Sequence, residues 1–294
     1  MQPKSPVGIP EGVSRDATLR LIDMALAEDL GTGGDITSAA TIPEDVHFTA
    51  NLTARHDMVV AGLGLAGLVF KTVDAAIHWR ADIEDGQRVD AGTVLAIVSG
   101  PARALLTAER TALNLLQHLS GIATLTRCYV DAVQGTGATI LDTRKTLPAY
   151  RELAKYATRM GGATNHRMRL DDAVLIKDNH IAVAGSVTNA IQGAKDAGHR
   201  PIEVECDTLN QVREALAANG GEGVDAILLD NMNTDQLREA VALIGDQART
   251  EASGGVTLDT VRAIAETGVK TISIGRITQS APAVDIGLDW NPGA

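Results

Sequence analysis

Between residues 143 and 169 the chain carries seven basic side chains and one acidic one, Glu152, although its formal net charge is −11. Arg144, Lys145, Arg167 and Lys177 stand beside or just beyond short apolar runs, where a solvated helix face is a poor account of them. Arginine presents a planar fork matched to carboxylate or phosphate, and lysine a point charge. Several such cations at one mouth call for a ligand with more than one negative group. His166, inside the same run, suits hydrogen bonding to an anion better than general-base work. Arg151, Lys155 and Arg159 are different: their i, i+4, i+8 spacing lines them along one helix side, and they read as a solvated face.

Glu205 and Asp230 bring the opposite sign to neighbouring strand ends. They are either ion-pair partners for the cations or holders of Mg²⁺ and hydroxyl groups, both of which want oxygen ligands. "EASGG" (251–255) runs into a helix that begins near Thr257, and "SIGR" (273–276) ends the next strand. Glycine-rich turns that expose backbone N–H groups at a helix start suit phosphate. The groups together match a phosphorylated sugar, a metal with hydroxyls, and a polyanion. Two other readings use the same residues: a Schiff-base aldolase with Lys177 as amine nucleophile, and a non-catalytic barrel that binds metabolites.

Something must hold these groups at one mouth. Six short strands are expected at 139–142, 173–177, 201–205, 226–230, 250–253 and 271–275, with helices between most of them. Ser186, Asp207, Thr234 and Thr257 are placed to cap those helices. Strand–helix alternation implies a parallel sheet. Nearly every strand ends in a functional group: Asp142 with Arg144 and Lys145, then Lys177, Glu205, Asp230, Ser253 and Gly275. A doubly wound sheet concentrates chemistry at one switch point, whereas a barrel draws it from many strand ends. The pattern favours an incomplete α/β barrel of six or seven strands. Upstream, 17–30 has helical spacing, "GTGGDITS" (31–38) reads as a turn, and Phe48, Ala50, Leu52 and Ala54 alternate as a half-buried strand. The first hundred or so residues form a small α+β domain.

The composition excludes other classes. With 45% hydrophobic and 21% charged residues in 294, the chain buries a sizeable core. Aromatics at 2% argue against a base-stacking platform, and the acidic balance against broad phosphate-backbone binding. Cys128 and Cys206 lack metal-ligand spacing and read as reduced thiols of a cytoplasmic protein. No apolar core of a signal peptide is visible at the start, and the longest apolar run, 59–70, is too short and glycine-rich to span a bilayer.

Six stretches, "ERTALNLLQHLSGIAT" (109–124), "LDTRKTLPAYR" (141–151), "GGATNHRMRLDDAVLIKDNH" (161–180), "EVEC" (203–206), "LLDNM" (228–232) and "EASGGVT" (251–257), resemble the quinolinate phosphoribosyltransferase family in order and spacing. The resemblance implies an N-terminal α/β sandwich over 1–113, with the tail 281–294 packed on it, and an incomplete seven-stranded α/β barrel over 114–280. It implies conversion of quinolinate and 5-phosphoribosyl 1-pyrophosphate into nicotinate mononucleotide, pyrophosphate and CO₂ for NAD biosynthesis, with Mg²⁺, in a homodimer. Quinolinate binding is then assigned to Thr143, Arg144, His166, Arg167 and Lys177, with Arg110 reaching across from the other subunit. Lys145 would face the pyrophosphate. Glu205 and Asp230 would hold ribose hydroxyls and Mg²⁺. Ser253, Gly254, Gly255 and the turn Ile274, Gly275, Arg276 would cradle the 5-phosphate. Lys145, Lys177, Glu205 and Asp230 are the expected catalytic set. The chain departs from the family pattern at Ala163, Arg169, Arg276 and Gln279, which puts affinity and loop geometry in question. A related phosphoribosyltransferase for another heterocyclic acid would carry much the same motifs.

Overall fold

The computed structural model describes residues 7–218 and 224–291 of the chain. Its described residues divide into two compact units, falling within 1–127, 148–162 and 280–294 for one and within 128–147 and 163–279 for the other. The expected cut at residue 113 is therefore corrected in two ways: the first unit keeps more of the long helix, and it also takes the segment 148–162. Residues 1–6 and 292–294 of the expected domain and tail lie outside the described residues.

The first unit begins with α1 (Arg15–Leu30), whose cap Ser14 accepts from Ala17 N–H. The turn expected at 31–38 passes into a helix at its last three residues. Asp35 Oδ1 accepts from Ser38 N–H at 2.9 Å and starts the short α2 (Ile36–Thr41). Next come β1 (His47–Ala54), β2 (Met58–Val59), α3 (Leu63–Val73), β3 (His78–Arg80), β4 (Arg88–Val89), β5 (Val94–Pro101) and α4 (Ala102–Ala132). Alternation decides which face of β1 is buried: Ala50, Leu52 and Ala54 turn inward. They join a core with Ile22, Phe70, Leu95, Leu105 and Leu116. With β12 (Ile286–Trp290), far along the chain, supplying the edge, the antiparallel sheet runs β12-β1-β5-β3.

The second unit holds β6 (Thr139–Leu141); α5 (Arg151–Met160), which follows in the chain, belongs to the first. Gly161 ends α5, and a Cβ there would come within 2.6 Å of Ala123 O on α4, so only glycine fits. Lys155 corrects the solvated-face reading of that helix, because its side chain is 0% exposed. Then come β7 (Val174–Ile176), α6 (Asp178–Ala184), α7 (Val187–Asp196), β8 (Ile202–Cys206), α8 (Leu209–Ala217), β9 (Ala226–Asp230), α9 (Thr234–Ile244), β10 (Arg249–Ser253), α10 (Leu258–Ala265), β11 (Thr271–Ser273), α11 (Arg276–Gln279) and, back in the first unit, β12 (Ile286–Trp290).

The six strands pair in parallel in the order β6-β11-β10-β9-β8-β7. A seventh position is a single parallel bridge, Leu141 to Thr164, on the other side of β6. The result is an incomplete α/β barrel. Its helices bury i, i+3 and i+4 stripes, such as Leu237, Ala240 and Ile244 on α9. Two caps fall one residue from expectation. Thr208 rather than Asp207 caps α8, and Asn233 rather than Thr234 caps α9; in each case Gln211 or Gln236 completes a reciprocal box. Among the described residues no helix is long and apolar enough to cross a membrane.

Candidate active site

The barrel brings most of the singled-out side chains to one end of the sheet, because each stands at or just past the C-terminal end of a parallel strand. Past β6, Thr143 Oγ1 accepts from Lys145 N–H at 3.0 Å and shapes a tight turn. The turn after β11 lies against it. Thr278 Oγ1 donates to Lys145 O at 2.7 Å, and a Cβ on Gly275 would come within 2.8 Å of Lys145 Cδ. Arg144 is half-buried, and among the described residues its Nε has no hydrogen-bond partner, an unmet donor suited to an anion. Burial, then the nearby Arg144 charge, depresses the Arg167 guanidinium. Two guanidinium groups held this close favour a shared anionic partner.

Lys177 ends the β7 segment but is not in a loop. It is the N-cap of α6, and its N–H donates to His180 Nδ1 at 2.9 Å. Residues 178–180 open this helix, with His180 as its cap partner. Lys177 Nζ reaches Glu205 Oε2 at 2.9 Å, with side-chain exposures of 46% and 11%. Glu205, Asp207 and Asp230 each place a carboxylate oxygen within 4.8 Å of the others. Burial and then the charges of Glu205 and Asp207 push the Asp230 carboxyl upward. Three crowded carboxylates, all hard oxygen donors, are chemically suited to a divalent cation such as Mg²⁺. Asp207 was not foreseen in this role.

The glycine turns lie alongside. Asn231 adopts a positive φ of 53°, donates from Nδ2 to Asp230 Oδ2 at 2.6 Å, and sends its N–H to Ser253 O at 3.0 Å. Gly254, at φ +90°, is the residue Asn231 leans on, and a Cβ would run into Asn231 Oδ1. Ser253, Gly254 and Gly255 lead into α10, with the Ser253 carbonyl taken up by Asn231 N–H. Ile274 does not fit its expected part: its side chain is buried and its N–H is spent on Leu141 O at 3.0 Å. Gly275 and Arg276 remain available in that turn.

His166 is the largest departure from expectation. Its Nε2 lies 3.0 Å from Glu203 Oε2 and 3.4 Å from Glu251 Oε1, with both acids buried. Its Nδ1 accepts from Arg167 N–H at 2.7 Å, and its own N–H donates to Asp142 Oδ1 at 2.9 Å. Asn165 Nδ2 also donates to Asp142, at 2.5 Å. Asp142, Glu203 and Glu251 therefore adjoin the site; sequence reasoning placed Asp142 at a strand end but gave Glu203 and Glu251 no role. The signal was an acid repeated at i, i+2 on one buried strand, Glu203 and Glu205 on β8, which alternation puts on one face. Arg169 points elsewhere. It is exposed, and its Nε donates to Asp171 Oδ1 at 3.1 Å within its own loop. Arg110 lies exposed on α4, in the first unit.

The description of the quinolinate phosphoribosyl transferase N-terminal domain matches residues 35–120, and that of the C-terminal domain residues 122–289. A nicotinate-nucleotide pyrophosphorylase (carboxylating) of Mycobacterium leprae is 46% identical over 280 residues, spanning 93% of this chain and 97% of its own. A chloroplastic one of Oryza sativa is 44% identical over 284 residues, 91% of this chain and 76% of its own. The solved nicotinate-nucleotide pyrophosphorylase of Francisella tularensis superposes with a TM-score of 0.90 at 38% identity, over 95% of this chain and 98% of that one. With both domain models matched over most of its length and relatives this similar, the chain belongs to the quinolinate phosphoribosyltransferase family.

Proposed function

We propose that this enzyme joins quinolinate to 5-phosphoribosyl 1-pyrophosphate, releasing pyrophosphate and CO₂ and forming nicotinate mononucleotide for NAD biosynthesis. The observation that carries the reading is the pairing of unlike charges at one barrel mouth. Arg144, Arg167 and Lys177 supply cations on one side, while Glu205, Asp207 and Asp230 crowd carboxylates within 4.8 Å on the other. A dicarboxylate matches the first set, and ribose hydroxyls with a divalent cation match the second.

Each residue then has a task. Arg144 and Arg167 bind the quinolinate carboxylates as planar forks, and Lys177 adds a point charge. Thr143 lines the same pocket. Lys145 steadies the pyrophosphate as it departs. Glu205 and Asp230, with Asp207, would hold Mg²⁺, which when bound contributes Lewis-acid stabilisation of phosphate charge. Ser253, Gly254, Gly255 and the Gly275–Arg276 backbone hold the 5-phosphate. Departure of pyrophosphate leaves electron deficiency at the ribose C1, and the pyridine nitrogen supplies the electron pair for the new bond. The alkylated ring nitrogen then accepts electrons as the adjacent carboxylate leaves as CO₂, and the vacated carbon takes a proton. Most of the acceleration is asked of positioning.

We also place the enzyme in the cytoplasm as a homodimer in which each site takes Arg110 from the partner subunit. Mixing inactive Arg110→Ala and Lys145→Ala subunits should restore one working site per hybrid dimer; no recovery would sink that arrangement. The Schiff-base alternative fares worse, since Glu205 at 2.9 Å offers Lys177 an anionic partner suited to an ammonium group, not a free amine. The deciding experiment supplies quinolinate, phosphoribosyl pyrophosphate and Mg²⁺ and follows CO₂ and pyrophosphate. Stoichiometric release of both is expected, and binding without turnover would overturn the reading.

A further inference from the structure

One buried cluster remains outside the reaction just described. Glu203 on β8 and Glu251 on β10 both face His166 Nε2, with carboxylate oxygens at 3.0 and 3.4 Å. Glu251 is itself fastened, with Oε2 accepting from Thr271 Oγ1 at 3.3 Å. At its other nitrogen the ring accepts the Arg167 N–H at 2.7 Å. Both ring nitrogens thus have partners inside the protein. What the ring does touch is the backbone of Arg167. Further along that side chain, Nη1 donates to Ala173 O at 3.0 Å, so the guanidinium is aimed from both ends.

We infer that Glu203 and Glu251 are positioning residues for quinolinate binding: they clamp His166, and through its bond to the Arg167 amide they fix where Arg167 projects. The inference rests on the function proposed above. Two strands that carry mouth residues, Glu205 on β8 and Ser253 on β10, also carry the clamp two residues earlier. Alternation makes i and i+2 share a face, so one strand can supply a mouth residue and its support. A misplacement of about 1 Å in a binding group costs up to roughly a hundredfold, which sets the scale of the effect.

Three variants test this: Glu203→Gln, Glu251→Gln and His166→Asn, the last keeping an acceptor beside the Arg167 amide while losing reach to both acids. In each glutamine variant KM for quinolinate is expected to rise about tenfold to a hundredfold, with KM for phosphoribosyl pyrophosphate nearly unchanged. The Glu251→Gln, His166→Asn double variant should be no worse than its worse single parent. An unchanged quinolinate KM in the folded glutamine variants, an equal rise for both substrates, or additive losses in the double variant would overturn the inference. If Glu251→Gln does not fold, Glu203→Gln with His166→Asn runs the same cycle. Wild-type turnover of quinolinate is read first: its absence defeats the proposed function, whereas its presence beside silent variants defeats only the clamp.

Discussion

Two carboxylate clusters share the strand β8, and they differ in almost every physical respect but composition. Glu205, Asp207 and Asp230 stand at the mouth, partly open to solvent, with like charges crowded together and Lys177 set against Glu205 at 2.9 Å. Glu203 and Glu251 lie deeper, each buried, and share His166 between them. The mouth keeps a charge imbalance that a ligand can relieve. The deep layer sets a single imidazole against two buried acids, and the Oε1 atoms of Glu203 and Glu251 have no hydrogen-bond partner among the described residues, so removing any member of the array is costly. One residue type thus serves binding at one depth and construction at another, and depth alone assigns the part.

Removing one partner from each cluster separates the two. Glu251→Ala leaves His166 and Glu203 a broken buried array, and a destabilisation of about 3–5 kcal/mol is expected. Denaturant unfolding measures it, and a change under 1 kcal/mol would mean the deep layer is not load-sharing. Asp230→Ala at the mouth should behave the opposite way. It should lower kcat about 10²- to 10³-fold while stability stays the same or rises, because a carboxyl crowded by Glu205 and Asp207 is gone. A large loss of stability in that variant would break the contrast.

The next effect concerns protons. Burial opposes charge on the His166 ring, but Glu203 and Glu251 outweigh it and push the ring up to about 9. The Arg167 amide on Nδ1 works the other way, since an imidazolium has no acceptor there. Burial raises Glu203, so the extra proton can sit on that acid with the ring donating through Nε2. Either way the cluster holds one proton more than its parts do in water. A raised folded value contributes stability that is complete below the unfolded pKa near 6.5 and is lost as pH rises through about 9. Melting temperature should therefore fall between those limits in the wild type and fall less in His166→Asn. Parallel curves would show that another group titrates. The smallest effect is expected at Gly254, where Ala would meet Asn231 at φ +90°. Strain of about 1–3 kcal/mol should loosen Asn231 from Asp230 and show as a higher Mg²⁺ concentration for half-maximal activity. An unchanged titration would mean that Asn231 does not set the mouth.

How much of this was legible follows from the range of each interaction. The six parallel strands, the helix stripes and the cations at strand ends follow from local period and chain order. The seventh strand did not, because it is one bridge at Thr164 with no run of residues to show a period. Lys155 was misread for a related reason. Its i+4 spacing from Arg151 describes a helix face but says nothing of what covers that face, and it proves fully buried. His166 was read as an anion ligand on the company of its neighbours in sequence. Its partners in space, Glu203 and Glu251, are 37 and 85 positions downstream, separations over which no local pattern carries information.

The sequence by itself determined the two kinds of domain, the family, and which residues gather at the strand ends, because alternation and helix period fix faces and a parallel sheet fixes which ends meet. Only the tertiary structure decided depth. It made Glu205 a mouth residue and Glu203, two positions earlier, a buried support, since hydration and charge compensation depend on what the rest of the barrel places around a side chain.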